Sequence, residues 1–80
     1  MKNIVGSRIR DFRLRGTSRV SQEALAARLQ ALGMDLDQAA ISRIEGGERQ
    51  VTDIELLAIC QALGISVASL FEGASLPRRP

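Results

Sequence analysis

Residues 21–47 read SQEALAARLQALGMDLDQAAISRIEGG, and this stretch decides how the chain is expected to fold. It contains two helical segments, each of which is opened by an N-cap residue and followed by glycine. Ser21 opens the first segment, which is predicted to continue to about residue 32. Leucines every three or four residues form its predicted buried stripe: Leu25, Leu29 and Leu32.

The second segment runs from Gln38 to Glu45, between the N-cap residue Asp37 and the pair Gly46 and Gly47. Glycine takes up the left-handed backbone conformation that commonly ends a helix. The inward positions of this short helix are predicted to be Ala40, Ile41 and Ile44. The stretch therefore predicts two helices that pack through apolar sides.

The same periodicity continues on both sides of this stretch. A helix is predicted from about Val5 to Arg15, and another begins at Thr52, where Thr52 and Glu55 match a capping box. A last short helix follows Ser66. The apolar residues expected to face the core in these three helices are Val5, Ile9, Phe12, Leu56, Ile59, Cys60, Leu63, Val67, Leu70 and Phe71.

No segment shows the alternation of apolar and polar residues that marks a β-strand. The chain is therefore predicted to be all-α, a compact five-helix domain over residues 1–72. Residues 73–80 are predicted to form a disordered basic tail.

Length and composition exclude most catalytic chemistry. The chain has 80 residues, no histidine and one cysteine, so it lacks the parts of a Ser/His/Asp or Cys/His system, of most metal sites and of a disulfide. We expect neither an enzyme nor a bound cofactor or metal, and Cys60 is expected to be a small buried hydrophobe. With no signal peptide or membrane span in the sequence, a cytoplasmic protein is expected.

The charge is distributed unevenly along the chain. The formal net charge is only +2, but residues 1–19 hold six basic residues and one acidic residue, a net +5, while residues 20–77 hold three basic and eight acidic residues, a net −5. This asymmetry fits a polyanionic partner on one side of the domain, and it fits equally a basic helix that is merely solvated.

The outward side of the second helix in the quoted stretch is chemically distinctive. It offers Gln38, Ala39, Ser42 and Arg43 and no acidic residue before Glu45. In the DNA major groove, glutamine pairs with adenine, arginine pairs with guanine, and alanine packs against the thymine methyl group. An ordinary solvated face would usually mix glutamate and lysine, so the pattern favours a nucleic-acid reader over that plainer interpretation.

Four motifs together resemble one family. GSRIRDFR (6–13), SQEALA (21–26), AISRIEGG (40–47) and LLAICQALGI (56–65) are similar, in this order, to the Cro and lambda-repressor-like (XRE-type) helix-turn-helix family. The similarity extends over about residues 6–70. It implies a lambda-repressor-like DNA-binding domain in which the third helix enters the major groove of double-stranded DNA.

The resemblance also implies roles for individual residues. The base-reading positions would be Gln38, Ala39, Ser42 and Arg43, and Gln22 would bind a phosphate at the start of the second helix. The further phosphate candidates are Thr17, Ser18, Arg19 and Arg49, and for each arginine a solvated surface charge is an equal alternative.

A structural ion pair is expected between Arg13 and Glu45. Glu45 lies in the last turn of its helix, where a carboxylate meets the negative end of the helix dipole and needs a nearby cation. The matching arginine and glutamate pair in the family that the chain resembles, so these two residues are assigned to structure rather than to DNA contact.

The chain departs from the family pattern between the second and third helices. The connection is longer than usual, and Leu32, Met34 and Leu36 are expected to anchor it on the core. This departure leaves open the angle of the third helix, and hence whether Gln38 or Ala39 reaches a base edge.

Two functions of different classes follow. The first is a transcriptional regulator, in particular a repressor, that acts as a homodimer on a palindromic operator and is nucleoid-associated when bound. Its self-association patch is expected in the exposed part of the fifth helix and in the tail, among Leu70, Phe71 and Leu76, of which Leu70 is expected to belong to the core. The second is a helical protein-interaction or antitoxin-like module, whose partner would contact the acidic stretch 45–55 and the apolar tail.

Overall fold

The computed structural model describes residues 1–17 and 19–77, and within them it contains five α-helices and no β-strand. The helices are α1 (Gly6–Arg13), α2 (Gln22–Ala31), α3 (Gln38–Glu45), α4 (Asp53–Leu63) and α5 (Val67–Phe71). The predicted all-α, five-helix architecture is therefore confirmed. Ser18 and the last three residues of the predicted tail lie outside the described residues, and the disorder of residues 73–80 stays a prediction.

Side-chain caps set where the central helices begin. The Ser21 hydroxyl accepts a hydrogen bond from the Ala24 N–H at 3.0 Å, and an Asp37 carboxylate oxygen accepts one from the Ala40 N–H at 2.8 Å. At α4 the capping box of Thr52 and Glu55 is complete in both directions. The local start signals of α2, α3 and α4 were therefore sufficient to place these helices.

The core lies where α2 packs on α3 and α4, and α1 closes it by packing against α3 and α4. The fully buried side chains come from every helix and from the long connection before α3. They are Ile9, Leu25, Leu29, Leu36, Ile41, Ile44, Ile59, Cys60 and Leu70. This burial holds α3 by its apolar side and leaves its opposite side on the surface.

Leu32 was wrongly predicted to be buried, because 47% of it is exposed. It is the C-cap residue of α2, after which Gly33 takes a φ of +84° and the Met34 N–H returns to the Leu29 carbonyl at 2.9 Å. This turn carries the chain back over the core, where Leu36, 2% exposed, is buried as predicted. Met34 is half-buried and packs against the core.

The two terminal helices also differ from the predictions. α1 is shorter than the predicted 5–15, because Leu14 already has non-helical angles and Gly16 turns the chain with a φ of +70°. α5 has barely more than one turn, so it buries Leu70 alone and exposes Val67 and Phe71. The predicted core position of Leu70 is therefore confirmed, which removes it from the self-association patch.

Gly6 permits an unusually close approach of α1 to α3. A Cβ atom added at Gly6 would lie 2.0 Å from the Ile44 carbonyl oxygen, which belongs to the last turn of α3. No side chain other than hydrogen fits there without a backbone shift. The start of α1 is thereby seated directly on the end of α3.

The expected result of Gly6→Ala is a loss of about 1–3 kcal/mol of unfolding free energy, since the added methyl group forces the two helices apart. Gly46→Ala is the matched control. Gly46 has a φ of −81°, and its added Cβ would lie 3.2 Å from the Glu48 carboxylate, the movable end of a side chain, and at an ordinary contact distance of 3.5 Å from the Ser42 carbonyl oxygen. Urea unfolding of both variants tests this, and equal stability of the two would contradict the close contact.

Within the described part of the chain, no helix has both the length and the apolar character needed to cross a membrane.

Candidate nucleic-acid interface

The structure places the base-reading candidates together on the surface of α3. Because Ala40, Ile41 and Ile44 point into the core, the opposite side of this two-turn helix faces outward. The exposed residues on this side are Gln38, Ala39, Ser42 and Arg43. The face combines an amide, a methyl group, a hydroxyl and a guanidinium, and the acidic Glu45 does not share it because its carboxylate is turned inward.

A hydrogen bond that the sequence did not indicate joins the start of α2 to the start of α3. The Gln38 side-chain NH₂ donates to the Gln22 side-chain carbonyl at 2.6 Å, and the Gln22 NH₂ donates to a Glu45 carboxylate oxygen at 3.0 Å. Gln22 is therefore held at both ends of its amide. Its orientation in turn fixes the exposed Gln38 side chain.

Arg13 and Glu45 form a bidentate pair beneath this surface. Arg13 Nε lies 2.7 Å from Glu45 Oε2, and Arg13 Nη2 lies 2.9 Å from Glu45 Oε1. Only 8% of the Arg13 side chain and 4% of the Glu45 side chain are exposed. The hydrogen bonds from the Arg13 guanidinium to Glu45 raise the pKa of Arg13, which keeps this guanidinium charged in the folded protein.

Arg13 also organises the loop that carries other phosphate candidates. Its Nη1 donates to the Val20 carbonyl at 2.9 Å, and the Val20 N–H donates to the Arg13 carbonyl at 2.9 Å. These bonds tie the end of the loop between α1 and α2 to α1. Thr17 and Arg19 are exposed on this loop, and Ser18 lies outside the described residues.

Arg49 is already bonded within the protein. Its Nη1 and Nη2 each lie 3.0 Å from a carboxylate oxygen of Glu55, and Nη1 also donates to the Gln50 carbonyl. The hydrogen bonds from Arg49 lower the pKa of Glu55. A phosphate contact by Arg49 would have to share or replace this pair, which the sequence did not indicate because nothing in it links the two residues across the turn.

A further residue was missed altogether. Asn3 precedes α1, and its side chain bonds to backbone groups of α1, of α3 and of the loop after α3. The sequence holds one weak signal for it, since asparagine often bonds the backbone N–H groups of the residues that follow. Nothing local indicated its long-range partners.

The lowered pKa of Glu55 predicts that its contribution to the free energy of unfolding depends on pH. An acid whose folded pKa is depressed stabilises the fold above its unfolded pKa of about 4.3, and this stabilisation is lost as the pH falls through the folded value. Glu55→Gln retains a side chain that fits the capping box but lacks the charge that binds Arg49. At pH 7 this variant should be less stable than wild type by about 1 kcal/mol, and the difference should shrink below about pH 4.

Urea unfolding of the two proteins at pH 7, 5 and 3 measures this difference. Glu48→Gln is the control, because Glu48 is exposed and forms no ion pair within the described residues. A stability gap for Glu55→Gln that stays constant down to pH 3 would contradict the role of the charge.

Comparison with known proteins agrees with this geometry. A family model described as a helix-turn-helix domain matches residues 5–70, a range that includes α1 to α4 and most of α5. Searches of curated proteins and of solved structures found no match. On the strength of this match over more than half of its length, the chain belongs to the helix-turn-helix domain family, which indicates a DNA-binding regulator.

Proposed function

We propose that this protein is a sequence-specific regulator, acting as a repressor, that binds double-stranded DNA with α3 in the major groove. One observation carries the proposal: α3 is held by its apolar side and exposes four residues suited to base edges, Gln38, Ala39, Ser42 and Arg43. The placement corresponds to the lambda-repressor-like (XRE-type) branch of the family, which the sequence motifs resemble.

The bonding of these side chains supports base contact. Arg43 is exposed and forms no side-chain hydrogen bond or ion pair among the described residues, so its guanidinium is free to donate two hydrogen bonds to guanine. Gln38 is held by Gln22, which lowers the conformational entropy it loses on binding. Gln38 keeps its own side-chain carbonyl as an acceptor and one amide hydrogen as a donor, the pair that adenine requires.

Phosphate contacts would flank this face. Gln22 lies in the first turn of α2, where the backbone N–H groups and the helix dipole attract anions. Exposed Thr17 and Arg19 lie in the preceding loop, and Ser18 belongs to the same proposed group. Arg49 remains a candidate that would exchange Glu55 for a phosphate oxygen.

Specificity requires a second copy. A single α3 offers a handful of base contacts at about 1–3 kcal/mol each, which is too little to select one site in a genome. We therefore propose a homodimer on a palindromic operator, with half-sites about 34 Å apart or a multiple of that distance, in the cytoplasm. Exposed apolar side chains that such a dimer can bury are Ile54, Leu57, Phe71 and Leu76.

A protein-interaction module is supported less well. Two of the acids in stretch 45–55 are neutralised inside the fold, since Glu45 pairs with Arg13 and Glu55 pairs with Arg49. The acidic surface that a protein partner would need is thereby reduced. The remaining support for a protein-interaction module is the pair of exposed apolar side chains Ile54 and Leu57.

Selection of duplexes from a random pool tests the proposal, because enrichment of a palindrome would establish base recognition and a two-fold complex together. The selected site is then titrated at several salt concentrations. Binding through several phosphates weakens log-linearly and steeply as salt rises, whereas an apolar protein contact does not. If no sequence is enriched, and the affinity for random duplex DNA also depends only weakly on salt, the proposal is overturned in favour of a protein partner.

A further inference from the structure

The side chain of Asn3 joins two elements that are distant in sequence. Its Oδ1 accepts hydrogen bonds from the N–H groups of Val5 at 3.1 Å and Gly6 at 2.7 Å. Its Nδ2 donates to the carbonyls of Ile44 at 3.0 Å and Arg49 at 2.8 Å. Both amide hydrogens and both lone-pair directions of the carbonyl oxygen are thus used, which is the full capacity of an asparagine side chain.

The two carbonyls that Asn3 binds flank the exit of α3. Ile44 belongs to the last turn of this helix, and its carbonyl also accepts the Gly47 N–H at 3.0 Å; Arg49 follows the turn at Gly47. The backbone adds to the same contact, because the Lys2 N–H donates to the Gly47 carbonyl at 2.7 Å. Residues 2–3 therefore fasten the whole segment 44–49 to the start of α1.

This attachment lies directly beside a proposed base-reading residue. Arg43 belongs to the same last turn of α3 and immediately precedes Ile44. The Arg43 carbonyl in turn accepts the Glu48 N–H at 2.9 Å, so the loop held by Asn3 folds back on the residue that carries the guanidinium. Release of the loop would let this last turn fray, since helix ends open more readily than helix centres.

We propose that Asn3 is a positioning residue for DNA recognition, which holds the exit of α3 so that Arg43 is presented in one orientation. This inference rests on the proposed function. Asn3 itself touches no base in this proposal. Its effect is on operator specificity, because an unordered last turn has to be ordered again each time the operator is bound.

The substitution Asn3→Asp separates the hydrogen bonds that Asn3 accepts from those that it donates. Asn3→Asp keeps the oxygen that accepts the N–H groups of Val5 and Gly6. It has no donor for the carbonyls of Ile44 and Arg49, which then face a carboxylate. Asn3→Ala removes both halves. Ser7→Ala is the matched control, since Ser7 is an exposed neighbour on α1 with no side-chain hydrogen bond among the described residues.

The test compares the affinity of each variant for the selected operator with its affinity for a scrambled duplex of equal length and charge. The ratio of the two affinities cancels the added charge of aspartate, which acts on both duplexes. We expect Asn3→Asp and Asn3→Ala to lower this ratio by about fivefold to tenfold, and Ser7→Ala to leave it unchanged. In an Arg43→Ala background the effect of either Asn3 variant should largely disappear.

Amide hydrogen exchange supplies a readout that needs no DNA. The Glu48 N–H should exchange faster in Asn3→Asp than in wild type, at a temperature where both proteins are folded. If the Asn3 variants fail to fold, Lys2→Pro should lower the same ratio, because it removes the N–H bonded to Gly47. Lys2→Ala is its control, because it removes the same side-chain charge and keeps this N–H.

A lower melting temperature with an unchanged affinity ratio would overturn the inference, because Asn3 would then be purely structural. The same follows if the ratio falls equally with and without Arg43. A wild-type chain that binds no duplex at all would instead overturn the proposed function, so the two failures are distinguishable.

Discussion

Arg13→Ala is expected to lower the free energy of unfolding by about 3 kcal/mol or more, because it leaves the Glu45 carboxylate buried without its cation. The variant loses the two bonds to Glu45 and the bond to the Val20 carbonyl. In a domain of this size such a loss lowers the melting temperature by more than about 10 °C. Thermal and urea unfolding, followed by circular dichroism, measure it.

Arg10→Ala is the control for this substitution. Arg10 lies on the same helix, is exposed and pairs with no acid among the described residues, so its loss should change stability by less than about 0.5 kcal/mol. The decisive comparison is between stability and DNA affinity. If Arg13→Ala weakened DNA binding and left the melting temperature unchanged, Arg13 would be a DNA contact rather than a structural residue.

Arg43→Ala is expected to cause the largest loss of specificity. A bidentate bond from arginine to guanine discriminates by about 1–3 kcal/mol, and a dimer would lose it in both half-sites. Affinity for the selected operator should fall at least about tenfold, while affinity for scrambled DNA should fall much less. Titration against operators substituted at each position should show that the preference is lost at one base pair of each half-site.

Arg28→Ala is the control for Arg43→Ala, because it removes the same positive charge. Arg28 is exposed on α2, and its guanidinium donates to the Ala62 carbonyl of α4 rather than lying on α3. Its removal should affect all duplexes slightly and alike. If Arg43→Ala behaved in the same uniform way, Arg43 would contact a phosphate and the base-reading role would pass to the remaining residues of the face.

Local signals account for the parts of the fold that the sequence predicted. The bounds of α3 follow from the Asp37 cap and the two glycines, and the start of α4 follows from its capping box. Each of these signals lies within a few residues of the feature that it determines. The exposed side of α3 could be deduced for the same reason, because once the bounds and the apolar side of a helix are known, its opposite side must face solvent.

Long-range competition accounts for the parts that the sequence did not predict. Leu32 continues the leucine stripe of α2 in the sequence, but the chain turns at Gly33 and leaves Leu32 exposed, while Leu36 beyond the turn is buried. The contacts of Asn3 span more than 40 residues, and no periodicity encodes such a pairing. The bond from Arg49 to Glu55 depends on the shape of the turn between them, so the sequence predicts only a phosphate candidate or a solvated cation at Arg49.

Under the proposed function, the hydrogen bonds that run from Gln38 through Gln22 to Glu45 have a consequence for how operator preference can diverge. A substitution of Gln38 removes the donor to Gln22, so a change at this position also disturbs the support of α2 on α3. Ser42 and Arg43 have no side-chain partner among the described residues and can be exchanged singly. Reprogramming of this protein toward new sites, by selection or by design, should therefore proceed first through positions 42 and 43, and position 38 should change together with position 22.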